Sequence, residues 1–252
     1  IILSECKGEL NFGLEDEGDK EDDQNSSFEA KNRQLVLCGS NEITQRYTFF
    51  YIRLDRIYEN TKAVLSFIKG EKHHILFVLD SSSSMEGSPW IKCLEALDRF
   101  VEIRKDQADL LSIITFNNTS ISRVGQMEIG EYYRQRIPSA KSLGLPYGGT
   151  NYDAPLLQAI DILKGNNTHN PVLFFLSDGE PNCGYDGINS MKKLCQQVNG
   201  LKVVVMPYEK EISEKGKQAL KNLVVAATNG QYWENIDSTN IKEIFEMVAY
   251  SG

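Results

Sequence analysis

From position 73 onward, short continuous apolar runs alternate with stretches whose apolar residues recur at helical spacing. Ile75 to Leu79 is apolar throughout, as expected of a strand covered on both faces. Asp109 to Phe116, Val172 to Leu176 and Leu201 to Tyr208 read the same way, with Ser120 to Val124 and Gln231 to Trp233 as shorter strands. Between them, Trp90, Cys93, Leu94, Leu97, Phe100 and Val101 follow a 3.6-residue period behind Ser88-Pro89, which reads as a cap and a first-turn proline. Pro155 to Leu163, Ile188 to Val198, Ser213 to Ala227 and Ser238 to Tyr250 complete the helices. This alternation with short connections predicts an α/β fold: a doubly wound, mostly parallel open sheet with helices on both faces.

The pattern changes upstream of residue 71. Residues 1–33 are polar and acidic and bury too little apolar surface to offset chain entropy, so loop or disorder is expected there. Residues 34–71 are richer in β-branched and aromatic positions, and two or three strands are expected at Gln34 to Cys38, Tyr47 to Leu54 and Ala63 to Ile68. The expected organisation is therefore an acidic segment (1–33), a short β-rich segment (34–71) and one α/β domain (72–252).

Charge sharpens this division. Of a net charge of −8, Glu15 to Asp23 contribute −6, leaving about −2 for the rest. That run lacks the alternating ligand-and-glycine order of a helix–loop–helix calcium site and reads as a solvated tail. No basic patch is available for a phosphate backbone, which argues against nucleic acid as a partner. No apolar run approaches the ~18 residues of a membrane-spanning helix. The five cysteines have no Cys-x-x-Cys unit, so buried or surface thiols are expected, with a Cys183–Cys195 pair left open. The chain opens at Ile1 rather than Met, which leaves room for a preceding segment or a larger polypeptide, and the sequence does not choose a compartment, although its balance leans towards an intracellular complex over an extracellular one.

In open α/β sheets, ligands sit in the crevice at the carboxyl ends of the strands. Three such positions here carry oxygen-bearing side chains: Asp80-Ser81-Ser82-Ser83-Ser84, Gly148-Gly149-Thr150, and Ser177-Asp178-Gly179-Glu180. Ser81 and Ser83 read as turn chemistry, and Asp178-Gly179 alone would be an ordinary turn. Together, two carboxylates and several hydroxyls supply only oxygen, a donor set that selects hard cations. Magnesium takes six oxygens at about 2.0–2.1 Å and keeps some waters, so few anionic ligands suffice. The glycines before Thr150 would allow its backbone a close approach.

Asp-x-Ser-x-Ser, then Thr150, then Asp178, in this order and spacing, resembles a von Willebrand factor type A domain with a metal-ion-dependent adhesion site. The resemblance runs from about His74 to Tyr250. It implies a Rossmann-like fold with Mg²⁺ or Mn²⁺ held by Asp80, Ser82, Ser84, Thr150 and Asp178, the two aspartates acting mostly through water. It further implies an open position filled by a Glu or Asp of a protein partner, and a last helix able to move with the metal loops. Tyr152, Glu180 and Tyr185 fall in loops beside these positions and are expected to rim the partner surface.

Other chemistries fit less well. His73, His74 and His169 stand away from the serine cluster, so neither a histidine metal site nor Ser-His-Asp catalysis is expected. Gly148-Gly149 lacks the P-loop spacing and lysine. Ester hydrolysis by metal and water lacks an evident general base. The expectation is a non-enzymatic protein-binding module. The alternative is an assembly subunit of a larger intracellular complex that docks through helical faces, with the metal site incidental.

Overall fold

A computed structural model describes residues 34–37, 50–53, 72–135, 143–165, 167–208 and 212–250. It divides the chain into two compact units, residues 1–63 and 64–252. In the first, β1 (Gln34–Leu37) pairs antiparallel with β2 (Phe50–Arg53). The third strand anticipated in this region, Ala63 to Ile68, and the acidic segment lie outside the described residues.

The second unit holds a six-stranded sheet. Its strands are β3 (His73–Asp80), β4 (Leu110–Phe116), β5 (Ser120–Glu128), β6 (Asn170–Ser177), β7 (Lys202–Pro207) and β8 (Gly230–Tyr232). They lie in the order β5-β4-β3-β6-β7-β8, all parallel except the antiparallel edge pair β4–β5. The order reverses between β3 and β6, the doubly wound topology that opens a crevice at that point.

Every residue of β3 is buried, which explains its unbroken apolar run. Ile75, Phe77 and Leu79 face one layer, packed on α1 (Ser88–Arg104) and α6 (Ile241–Tyr250). Leu76 and Val78 face the other, packed on α3 (Asp153–Leu163), α4 (Ile188–Gln197) and α5 (Glu214–Ala226). Phe77 anchors the first layer, its ring 5.1 to 5.4 Å from those of Phe100, Phe174 and Phe245.

Four details depart from the sequence expectation. The edge strand runs to Glu128 rather than ending at Val124, because pairing with β4 continues past two register shifts. It leads straight into an unanticipated helix, α2 (Ile129–Gln135), too short for its apolar residues to declare a period. Ser88 is the first helical residue rather than the cap. Gly87 holds the cap position at φ +85°, a region glycine enters without a side-chain clash. The last helix begins at Ile241, because the Asp237 carboxylate accepts from the Thr239 backbone N–H (2.7 Å) and turns residues 237–240 into a cap.

Cys93, Cys183 and Cys195 are free thiols, so the pairing of Cys183 with Cys195 is not made. Among the described residues, no helix is long and apolar enough to cross a membrane.

Candidate metal centre

The centre forms where the strand order reverses. Leu79 pairs with Leu176, so the next residues of the two parallel strands, Asp80 and Ser177, stand side by side at their carboxyl ends. Ser177 donates its hydroxyl to Asp80 Oδ2 (2.5 Å), and the Ser82 backbone N–H donates to Asp80 Oδ1 (2.8 Å). Asp80 is completely buried. Burial pushes its carboxyl up to about 7, despite the hydrogen bonds from Ser177 and Ser82 that oppose the rise, and the nearby Asp178 charge adds to it.

After Asp80 the chain curls through a single 3₁₀ turn, Ser83–Met85. This brings the Ser82 and Ser84 hydroxyls to 3.1 Å from each other. Ser84 Oγ then donates to Asp178 Oδ1 (2.9 Å), closing the loop after β3 onto the loop after β6 across 94 positions of sequence.

Thr150 arrives on a loop laid against the first. The Ser83 N–H donates to the Gly148 carbonyl (3.0 Å) and the Tyr147 N–H to the Ser81 carbonyl (2.9 Å). Glycine is favoured in this loop. Gly148 has φ +77°, and a Cβ at Gly149 would lie 2.6 Å from Asn182 Nδ2 and 2.8 Å from Asn118 Oδ1. The Thr150 carbonyl accepts from the Asn182 N–H (2.8 Å), which fastens this loop to the one after Asp178. A Cβ at Gly179 would lie 3.7 Å from both the Ser84 and Thr150 hydroxyls, so these oxygens converge over one glycine.

The donor set fits a small hard cation. An octahedron with bonds of about 2.0–2.1 Å has adjacent oxygens about 2.9 Å apart. The Ser82–Ser84 and Ser84–Asp178 separations, 3.1 and 2.9 Å, match such edges. Two carboxylates and three hydroxyls fall short of a cage of acidic residues. Among the described residues, no cluster of three or more His, Cys, Asp or Glu side chains could hold a metal.

The three expected rim residues separate. Tyr185 is exposed in the loop after Asp178. Tyr152 is fully buried and cannot form part of a surface, which corrects the sequence reading: the Asn151 side chain accepts from the N–H groups of Asp153 and Ala154, starts α3 there, and turns the following tyrosine into the core. Glu180 has its carboxylate engaged within the chain, accepting from Ser213 Oγ (2.5 Å) and pairing with Lys215 (2.8 Å). These contacts, led by Lys215 and then Ser213, hold its pKa below the usual carboxylate range. Sequence reasoning placed Ser177 at a strand end without giving it a role, and did not reach the amides of Asn118 and Asn182, which are 3.1 Å apart beside Gly149. For Ser177 the available signal was a hydroxyl residue immediately before the aspartate at a strand end. The asparagines are joined only by tertiary folding and carried none.

Residues 75–180 match the family model of the von Willebrand factor type A domain. The fold is shared with several solved structures. One, a von Willebrand factor type A protein from Catenulispora acidiphila, has a TM-score of 0.58 at 15% identity, covering 72% of this chain and 43% of that one. The pilus adhesin SpaC from Lactobacillus rhamnosus GG, in its open conformation, gives 0.58 at 14%, covering 72% and 30%. The corresponding domain of the type V pili tip protein Mfa5 from Porphyromonas gingivalis gives 0.54 at 12%, covering 71% and 94%. The chain thus spans under half the length of the first of these proteins. No curated protein matches the chain. The matched segment runs from β3 past Asp178, and the sheet around it has the doubly wound order that the strand–helix alternation predicts, so this part of the chain is similar to a von Willebrand factor type A domain in sequence and in fold.

Proposed function

We propose that the domain is a non-enzymatic protein-binding module that uses a divalent cation, Mg²⁺ or Mn²⁺, to capture a Glu or Asp side chain of a partner. The observation that carries this reading is the Ser84–Asp178 contact beside Thr150, which gathers three loops remote in sequence into one oxygen-only cluster. Ser82, Ser84 and Thr150 would hold the cation, with Asp80 and Asp178 balancing its charge. When bound, it supplies a positive centre for an incoming carboxylate, whose attraction grows where surrounding residues exclude water.

The chain's own residues account for the rest. Asp80, buried and bonded by Ser82 and Ser177, orients the first loop, while exposed Ser84 and half-buried Asp178 open towards solvent. Tyr147 and Tyr185 are exposed in the flanking loops and would line the contact surface. The adhesin and pili tip proteins among the structural neighbours support an interaction role of this kind.

Calorimetric titration of Mg²⁺ and Mn²⁺ into metal-stripped protein tests the reading. Saturable binding is expected in the parent and none in Asp80→Ala or Thr150→Ala, both of which should keep their far-UV circular dichroism. Binding that persists in both variants would overturn the site. A partner complex that survives EDTA would overturn carboxylate capture and favour docking through the helical faces.

A further inference from the structure

Tyr152 follows Thr150 by two residues, yet its side chain points away from the solvent edge. The ring is edge-on against Phe116 and Phe175, with centroids 6.1 and 5.0 Å away. At its tip, the hydroxyl donates to the Gly179 carbonyl (2.6 Å) and stands 3.2 Å from the Ser177 hydroxyl. These two partners bracket Asp178. Ser177 also donates to Asp80 and accepts from the Gly179 N–H (3.3 Å). One phenol therefore bonds the Gly179 carbonyl, sets its oxygen against the Ser177 hydroxyl that donates to Asp80, and is two residues from Thr150.

Packing alone does not account for a hydroxyl in this place. Phenylalanine would fill the same volume without burying an oxygen, and a buried hydroxyl is unfavourable unless it is bonded. The backbone is arranged to the same end. The Tyr152 N–H donates to the Tyr185 carbonyl (3.1 Å), and the Asn182 N–H to the Thr150 carbonyl, so two backbone bonds also join the loops around Thr150 and after Asp178.

We propose that Tyr152 is the positioning residue of the metal centre: its hydroxyl, bonded to the Gly179 carbonyl, sets the spacing between the Thr150 and Asp178 loops, and its close contact holds the Ser177 hydroxyl in place against Asp80. The inference rests on the cation-binding reading above and assigns the cation no contact with Tyr152. Residues behind the ligands tune metal affinity by holding the donor atoms where the ion needs them. The consequence is cooperative: neither loop can shift without breaking a bond to the other.

The test is Mn²⁺ titration of the full 252-residue chain, metal-stripped, followed by electron paramagnetic resonance of free and bound Mn²⁺. Parent, Tyr152→Phe, Ser177→Ala and the double variant are compared well below their metal-free thermal midpoints. Tyr152→Phe should raise the Kd for Mn²⁺ about tenfold or more and alter the line shape of the bound ion, which a role in ring packing would not do. The double variant should lose less than the product of the two single losses, because both act through one network. A Kd within about twofold of the parent, with the parent's line shape, would overturn the inference. If Tyr152→Phe does not fold, Ser177→Ala decides by the same two readouts. A parent that takes up no Mn²⁺ overturns the cation-binding reading itself, whereas a binding parent matched by its variants overturns only the role of Tyr152.

Discussion

The two ends of the sheet bury carboxylates in opposite ways. At the amino end, Asp109 accepts from the His73 backbone N–H (2.9 Å) and from Arg104 Nε (2.7 Å), and Arg104 continues to the Ala249 carbonyl (3.2 Å). Burial works to raise the Asp109 pKa, but the His73 contact and the Arg104 charge outweigh it and hold the carboxyl below its ordinary value. At the carboxyl end, Asp80 meets hydroxyl and amide donors, with no ion-pair partner among the described residues, and its carboxyl is pushed up to about 7. The first carboxylate is neutralised by Arg104, which also ties the last turn of α1 to α6. The second lacks a built-in counter-charge, the condition a cation would relieve. Two buried aspartates thus meet opposite electrostatic surroundings.

The comparison can be broken most forcefully at the amino end. Arg104→Met leaves the buried Asp109 charge uncompensated and should cost about 3–5 kcal/mol in chemical denaturation. The oxygen cluster lies at the opposite edge of the sheet, so Mn²⁺ affinity should stay unchanged in whatever protein remains folded. A small loss would mean that Asp109 is solvated and the contrast false.

Asp80→Asn should behave in the reverse sense. Without added cation its stability should equal or exceed the parent's, because no charge is buried. The parent should gain about 2.7 kcal/mol at a Mn²⁺ concentration 100-fold above its Kd, and the variant nothing. A large loss of metal-free stability in this variant would place Asp80 with Asp109 as a structural charge.

His74 adds a pH arm at the amino end. Burial, and then the charge of His169, lower its pKa from 6.5 to about 4, while its ring nitrogen lies 2.9 Å from Ser112 Oγ. At this site the unfolded chain binds more protons between these values, so the His74 contribution to stability is complete above pH 6.5 and falls as pH drops towards 4. Asp80, raised to about 7, works in the opposite sense over the same range, so the contribution is read as the difference between parent and His74→Asn, which should change by about 3 kcal/mol from pH 7 to pH 4. A difference that does not change with pH would contradict the buried, neutral assignment.

The smallest effect belongs to Lys215→Ala. Lys215 is 83% exposed, so its pair with Glu180 should contribute nothing measurable to the thermal midpoint. A marked drop would show that the loop after Asp178 depends on α5 for its place.

Legibility followed how local each cause was. The apolar run of β3 and the helical stripes declared themselves because burial on one or two faces imposes a period on the chain. Asp80 to Ser84 and Asp178 were legible because they stand at or immediately after the ends of strands, where a doubly wound sheet places its ligands, and Thr150 because two glycines precede it and a helix follows. Tyr152 misled for the same reason: a tyrosine beside Thr150 looks like a surface residue until a helix cap turns it inward. The engagement of Glu180 with Ser213 and Lys215 could not be read either, because those partners lie on the far side of β7.

The sequence by itself determined the alternation of strands and helices, the oxygen-only chemistry and the order of the three loops, since each follows from residue type and spacing along the chain. Only the tertiary structure decided which hydroxyls come within 3 Å of which carboxylate. It also decided which buried aspartate finds an arginine, and that the tyrosine beside Thr150 is buried behind the oxygen cluster. Those outcomes depend on the register between β3 and β6 and on where each helix begins, and a shift of one residue in either would exchange an inward side chain for an outward one.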